Sequence, residues 1–155
     1  MNENILQIDK KMHELMKNLI NSPLVSRDSL NDIPSNGLYA FYEDNKPIYV
    51  GISGKNRMKK RIMGHSRKSS GHNTATFAFN IAKKDAINNK LDTKEKRYNL
   101  EKNPEFANLF MKAKERVSKM KIRVVEINDP NIRALFEIYA ALVLNTTEFN
   151  SFETH

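Results

Sequence analysis

The segment from Gly37 to Gly51 constrains the fold more than any other part of the chain. Two apolar runs, Leu38 to Tyr42 and Ile48 to Ile52, alternate with strand period on either side of Glu43-Asp44-Asn45-Lys46-Pro47, so the spacing predicts a β-hairpin. Alternation assigns Ile48, Val50 and Ile52 to one face of the second strand and Tyr49 and Gly51 to the other. In the first strand it groups Leu38, Ala40 and Tyr42, leaving Tyr39 and Phe41 opposite, so Tyr39 and Tyr49 can share a face. Taken singly, each tyrosine reads as an ordinary strand residue with a solvated hydroxyl.

Around this hairpin the chain reads as mixed helix and strand. Ile5 to Ile20 places Ile5, Ile8, Met12, Leu15, Met16, Leu19 and Ile20 at helical spacing, and the loop signals from Pro23 to Asn36 set that helix in front of the main unit. A second helix is expected over Lys55 to Lys68, with Met58 and Ile62 inward and Arg57, Arg61 and His65 in an i, i+4, i+8 row. Further helices are expected over Thr76 to Asn89 and over Pro104 to Met120, with a strand over Ile122 to Ile127 and a final helix from Asp129-Pro130 to Leu144. The polar stretch Asn88 to Asn103 carries no readable pattern. The expected class is α+β, one small sheet flanked by helices, divided into residues 1–36 (helix and connecting loop) and 37–155.

Bulk properties narrow the chemistry. A chain of 155 residues with 39% hydrophobic content can bury a core but is short for two ordinary domains. Cysteine is absent, which removes disulfides, thiolate metal sites and a cysteine nucleophile. Met1 to Lys17 has no apolar run suited to a secretion signal or membrane span, so a cytoplasmic chain away from membranes is the expectation. The formal charge of +8 favours a polyanionic partner. That charge is uneven: Lys55 to Lys68 holds seven Lys or Arg and no acid, whereas Glu126 to His155 holds one Arg and five acids. Any one of those lysines also fits a solvated helix face.

One acid stands apart. Glu137 is the only carboxylate from Ile132 to Leu144, and a carboxylate among aliphatic neighbours is costly unless paired or bound to a cation. Arg133, four residues earlier, offers an ion pair, and a divalent metal offers the other solution.

Gly37-Leu38-Tyr39, Tyr49-Val50-Gly51, Arg61 and His65 on a basic segment, and Glu137 in a late helix occur in an order that resembles the GIY-YIG nuclease superfamily. The resemblance covers Gly37 to about Asn150, with Leu38 and Val50 standing where the family's tripeptides carry isoleucine. It implies a three-stranded antiparallel sheet bearing the active site on one face, and an endonuclease that hydrolyses DNA phosphodiesters with Mg²⁺, or Mn²⁺ in its place. Carried over, Tyr39 and Tyr49 match the motif tyrosines, Arg61 the helix arginine and Glu137 the metal ligand, while Asn150 fits the last polar position better than Asn145. His65 matches a histidine of the restriction-enzyme branch.

Hydrolysis of a phosphodiester needs an aligned water, charge stabilisation at phosphorus and neutralisation of the leaving alkoxide. On this reading Glu137 holds the metal, Arg61 donates to phosphate oxygens, and Tyr39, supported by Tyr49 and His65, aligns or deprotonates the water. Tyr39 and His65 both remain open as proton acceptor. Lys55, Arg57, Lys59, Lys60, Arg67 and Lys68 are the expected nucleic-acid contacts, with Lys112 to Arg123 the next basic segment. Five residues follow Asn150, which favours a self-contained restriction-like enzyme, or a repair or mobile-element nuclease acting as a homodimer or with a partner protein. The alternative is a silent nucleic-acid-binding module on the same fold.

Overall fold

The computed structural model describes residues 2–152. Three strands, β1 (Gly37–Glu43), β2 (Lys46–Ser53) and β3 (Lys121–Glu126), form an antiparallel sheet in the order β2-β1-β3. The fold is therefore α+β, and an N-terminal helix, α1 (Glu3–Asn21), precedes the sheet. The connection from β1 to β2 is tighter than the expected five residues: Asp44 and Asn45 alone turn the chain, with φ of 51° and 64°. Positive φ at both positions gives the primed turn whose twist matches two flanking strands, and a short Asp or Asn adopts it at low cost. Glu43 and Lys46 thus become paired strand residues, and Pro47 sits on edge strand β2, where its missing N–H is tolerated. A register shift between Phe41 and Tyr42 pairs Tyr49 with Phe41 and Pro47 with Tyr42, so Ile48 is the extra residue of a bulge.

The chain divides into two units, one comprising Met1–Lys59 and Lys121–His155, the other Lys60–Met120. In the first, the sheet face formed by Leu38, Ala40, Tyr42, Val50, Val125 and Ile127 packs with Met12, Leu15, Met16 and Leu19 of α1 and with Phe136, Ala140 and Ala141 of α6 (Pro130–Val143). Full burial of side chains of this size contributes roughly 1.5–3 kcal/mol each for the larger ones, which makes α1 a structural layer of this unit. The expected apolar stripe of α1 is only partly used, because Ile5, Ile8 and Ile20 are exposed. The helix of 19 residues is roughly 28 Å long, whereas the six-residue strand β3 it contacts spans roughly 20 Å, so its N-terminal end with Ile5 and Ile8 overhangs, while Ile20 is turned outward next to the fully buried Leu19.

In the second unit, α3 (Thr76–Asn88) packs against α5 (Pro104–Ser118), with α4 (Arg97–Lys102) folding within the stretch that carried no pattern. Phe79 meets Phe106 and Phe110 with ring centroids 5.0 and 5.6 Å apart. Asn103 caps α5 by accepting from the N–H groups of Glu105 and Phe106, and Pro104 occupies the first turn, where no donor is lost. Lys114 is buried on α5 and donates to the carbonyls of Lys68 and Ser70 at 2.7 and 2.9 Å. Burial pushes its amine below the ordinary lysine value, with Glu101 opposing that shift. It is an internal brace for the 68–70 turn rather than a surface cation.

The chain passes from the first unit to the second through α2 (Met58–Gly64), half the length expected for Lys55 to Lys68. Lys55 and Asn56 adopt left-handed φ of 55° and 57°, which no helix accommodates, and Gly64 ends the helix. The row of Arg57, Arg61 and His65 is accordingly not one helical face: Arg57 precedes α2 and His65 follows it.

Candidate active site

The two tripeptides interlock through the hairpin register. Tyr39 pairs with Gly51, and a Cβ placed on Gly51 would lie 2.4 Å from the Tyr39 hydroxyl oxygen, so the phenol lies directly over the glycine. A Cβ on Gly37 would lie 1.9 Å from the carbonyl oxygen of Val125 on β3. Each motif glycine is thus demanded by close approach, one by a ring and one by a neighbouring strand.

Tyr39, Phe41 and Tyr49 share one face of the sheet, as strand alternation predicts. Tyr39 meets Phe41 edge-on at 5.8 Å between centroids, and Phe41 meets Tyr49 at 6.4 Å. Both side chains are buried, Tyr39 at 1% exposed and Tyr49 at 8%.

Glu137 is half-buried on α6, where its i+3 and i+4 neighbours Ala140 and Ala141 are fully buried. The outer side of that helix is apolar instead, with Leu135, Ile138, Leu142 and Val143 exposed. Helix α6 therefore turns its two charges, Arg133 and Glu137, to its partly covered side and its leucines to solvent. Arg133 donates to the carbonyls of Ile127 and Asn128 at 3.0 and 3.4 Å, and its guanidinium lies where a Cβ on Gly54 would be. The i, i+4 spacing offers Arg133 to Glu137, and nothing in the sequence pattern ties residue 133 to Gly54. Helix α6 packs on the aliphatic face of the sheet, opposite Tyr39 and Tyr49, and its main strand contact is the edge strand β2.

Asn150 and Asn145 take different parts. Asn145, at φ 57°, is the left-handed residue that stops α6: its N–H donates to Leu142 and that of Thr146 to Ala141. Asn150 is buried, and its amide grips the main chain of Val50, accepting from the N–H at 3.0 Å and donating to the carbonyl at 2.8 Å. Thr146 donates its hydroxyl to the same Asn150 oxygen at 3.0 Å. The side chain fills one rung of the open edge of β2.

In the second unit, Arg61 is half-exposed on α2 and His65 follows it fully buried. Burial, assisted by the Arg61 charge, lowers the imidazole to about 3, so His65 is neutral throughout the physiological range. All six expected nucleic-acid contacts, Lys55, Arg57, Lys59, Lys60, Arg67 and Lys68, are exposed, and Lys59 donates to the Asn31 side chain at 2.9 Å. Of the second basic segment, Lys114 is withdrawn into the interior.

No protein-family model, curated protein or solved structure matches this chain. Among the described residues no helix is long and apolar enough to cross a membrane, and no cluster of three or more His, Cys, Asp or Glu is placed to hold a metal ion.

Proposed function

We propose that this protein is a divalent-metal-dependent endonuclease of the GIY-YIG kind acting on DNA. The observation that carries the reading is the inverted polarity of α6. A helix that keeps its only carboxylate half-covered while exposing Leu135, Ile138 and Leu142 departs from the usual amphipathic arrangement, and such departures are expected at functional sites. The interlocked glycines add support, because they make the two tripeptides one steric unit.

A single carboxylate suits Mg²⁺, which keeps several waters and is commonly held by one or two protein carboxylates together with substrate phosphate oxygens. Glu137 would hold that ion, which supplies charge stabilisation to the phosphate and the leaving oxygen. The Tyr39 hydroxyl aligns the attacking water, and Phe41, itself packed against Tyr49, meets its ring edge-on. His65, held neutral by burial, is excluded as a titrating base at physiological pH. Because α6 and the tyrosines occupy opposite faces of the sheet, the reading places the scissile phosphate along the edge of β2, where both faces are within reach. Asn150 fixes that edge by gripping Val50.

A second reading, a silent nucleic-acid-binding module, is favoured by the burial of Tyr39, Tyr49 and His65 together with the exposure of Lys55, Lys59, Lys60 and Lys68. One experiment separates the two. Incubated with supercoiled plasmid or branched DNA and Mg²⁺, the wild-type protein is expected to nick, and Glu137→Gln to lose at least about a hundredfold in rate with an unchanged circular dichroism spectrum. Wild-type protein that binds without nicking supports the second reading. Nicking that survives in Glu137→Gln overturns the metal-ligand assignment.

A further inference from the structure

The excess positive charge of the chain is confined to one of its two units. Lys60–Met120 carries fifteen Lys or Arg against six Asp or Glu, whereas Met1–Lys59 with Lys121–His155 carries eleven against twelve. The helical unit is strongly cationic and the sheet unit is slightly acidic. Of the run from Lys55 to Lys68, Lys60, Arg61, Arg67 and Lys68 belong to the helical unit, and eleven further cations of that unit lie beyond it.

Within that unit the cations are presented outward. Helix α3 is buried on most sides by Phe77, Ala78, Phe79, Ile81, Ala82 and Ala86. Its remaining narrow face carries Asn80, Lys83, Lys84 and Ile87, with the half-buried Asp85 on another side, and Lys90 is exposed in the left-handed turn that follows the helix. Lys94, Lys96 and Arg97 follow, all exposed, on the way into α4, outnumbering the exposed Asp92 and Glu95 between Lys90 and Arg97. Stability does not call for such a line, since like charges at neighbouring positions repel.

We infer that the helical unit, through α3 and the segment leading into α4, is the surface that anchors the phosphate backbone of a nucleic acid. The chemistry argues for a nucleic acid over an acidic membrane. Membrane-surface helices set a continuous apolar face beneath their lysines, and here the exposed large hydrophobics Ile87, Tyr98 and Met111 stand singly on three elements. The inference deepens the nuclease reading by assigning the grip to a unit other than the one bearing Tyr39, Tyr49 and Glu137, and its test reads binding without cleavage.

The test compares full-length variants in which equal numbers of exposed lysines are neutralised in each unit. One is Lys83, Lys90, Lys94 and Lys96→Gln; the other is Lys10, Lys11, Lys17 and Lys46→Gln. Binding of a short labelled duplex DNA is measured in EDTA across a salt series, so no catalysis contributes. The helical-unit variant is expected to lose about tenfold or more in affinity, its log-log salt slope falling by roughly 0.9 for every phosphate contact removed, while the sheet-unit variant stays within about twofold of wild type. The same four helical-unit positions changed to Arg should bind like wild type, which separates lost charge from lost fold. Equal losses in both glutamine variants, or an unchanged slope in the helical-unit variant, overturn the anchor. Wild-type binding to phosphatidylserine vesicles as tight as to the duplex overturns the choice of nucleic acid.

Discussion

At the scale of single residues, His65 has the most direct thermodynamic consequence. In the unfolded chain its imidazole titrates near 6.5, whereas in the folded protein burial and the Arg61 charge hold it neutral to about 3. Below pH 6.5 the unfolded state binds a proton that the folded state refuses, so stability contributed by this group is present above that value and falls as pH drops. The loss is about 1.4 kcal/mol per pH unit, or about 2 kcal/mol between pH 7 and pH 5. Urea unfolding at those two pH values is expected to show that loss in the wild type and a smaller one in His65→Gln. An equal loss in both proteins means that another group governs the acid limb. None of this was legible in the sequence, where His65 read as one member of a cationic row; the pattern gave its position after Arg61 but could not give its burial.

At the scale of elements, the hairpin, the third strand and the inward phase of Met58 and Ile62 were readable because each rests on local periodicity. The short turn at Asp44 and Asn45 was not, because five polar residues hide which two bend. The part played by Asn150 was not readable either, as it depends on a contact across 100 positions to Val50. That contact makes the edge strand β2 dependent on the chain after α6. Asn150→Ala removes two buried hydrogen bonds to the main chain and is expected to cost about 1–3 kcal/mol in chemical denaturation. Asn150→Asp should cost at least as much at neutral pH, because it retains the acceptor for the Val50 N–H and turns a charged oxygen on the Val50 carbonyl. An aspartate variant as stable as wild type would show that the edge is held by something other than this amide.

At the scale of the whole molecule, the charge asymmetry sets the response to salt. Fifteen cations within Lys60–Met120 repel one another, and added NaCl screens that repulsion. Thermal unfolding is expected to shift upward from low to physiological ionic strength, by about 2–4 °C for each kcal/mol of repulsion relieved. A midpoint that falls over this range would place the dominant ionic interactions among attractive pairs instead. The same division bears on the order in which the chain assembles. Strand β1 is the middle of the sheet, yet its partners arrive at very different times: β2 after a two-residue turn, β3 only after all of Lys60–Met120 has been made. During synthesis the hairpin and the helical unit can form from near neighbours, while one side of β1 waits with its main-chain groups unpaired. The sheet unit is thus the last part to close, and Lys121–Glu126 is the segment that closes it.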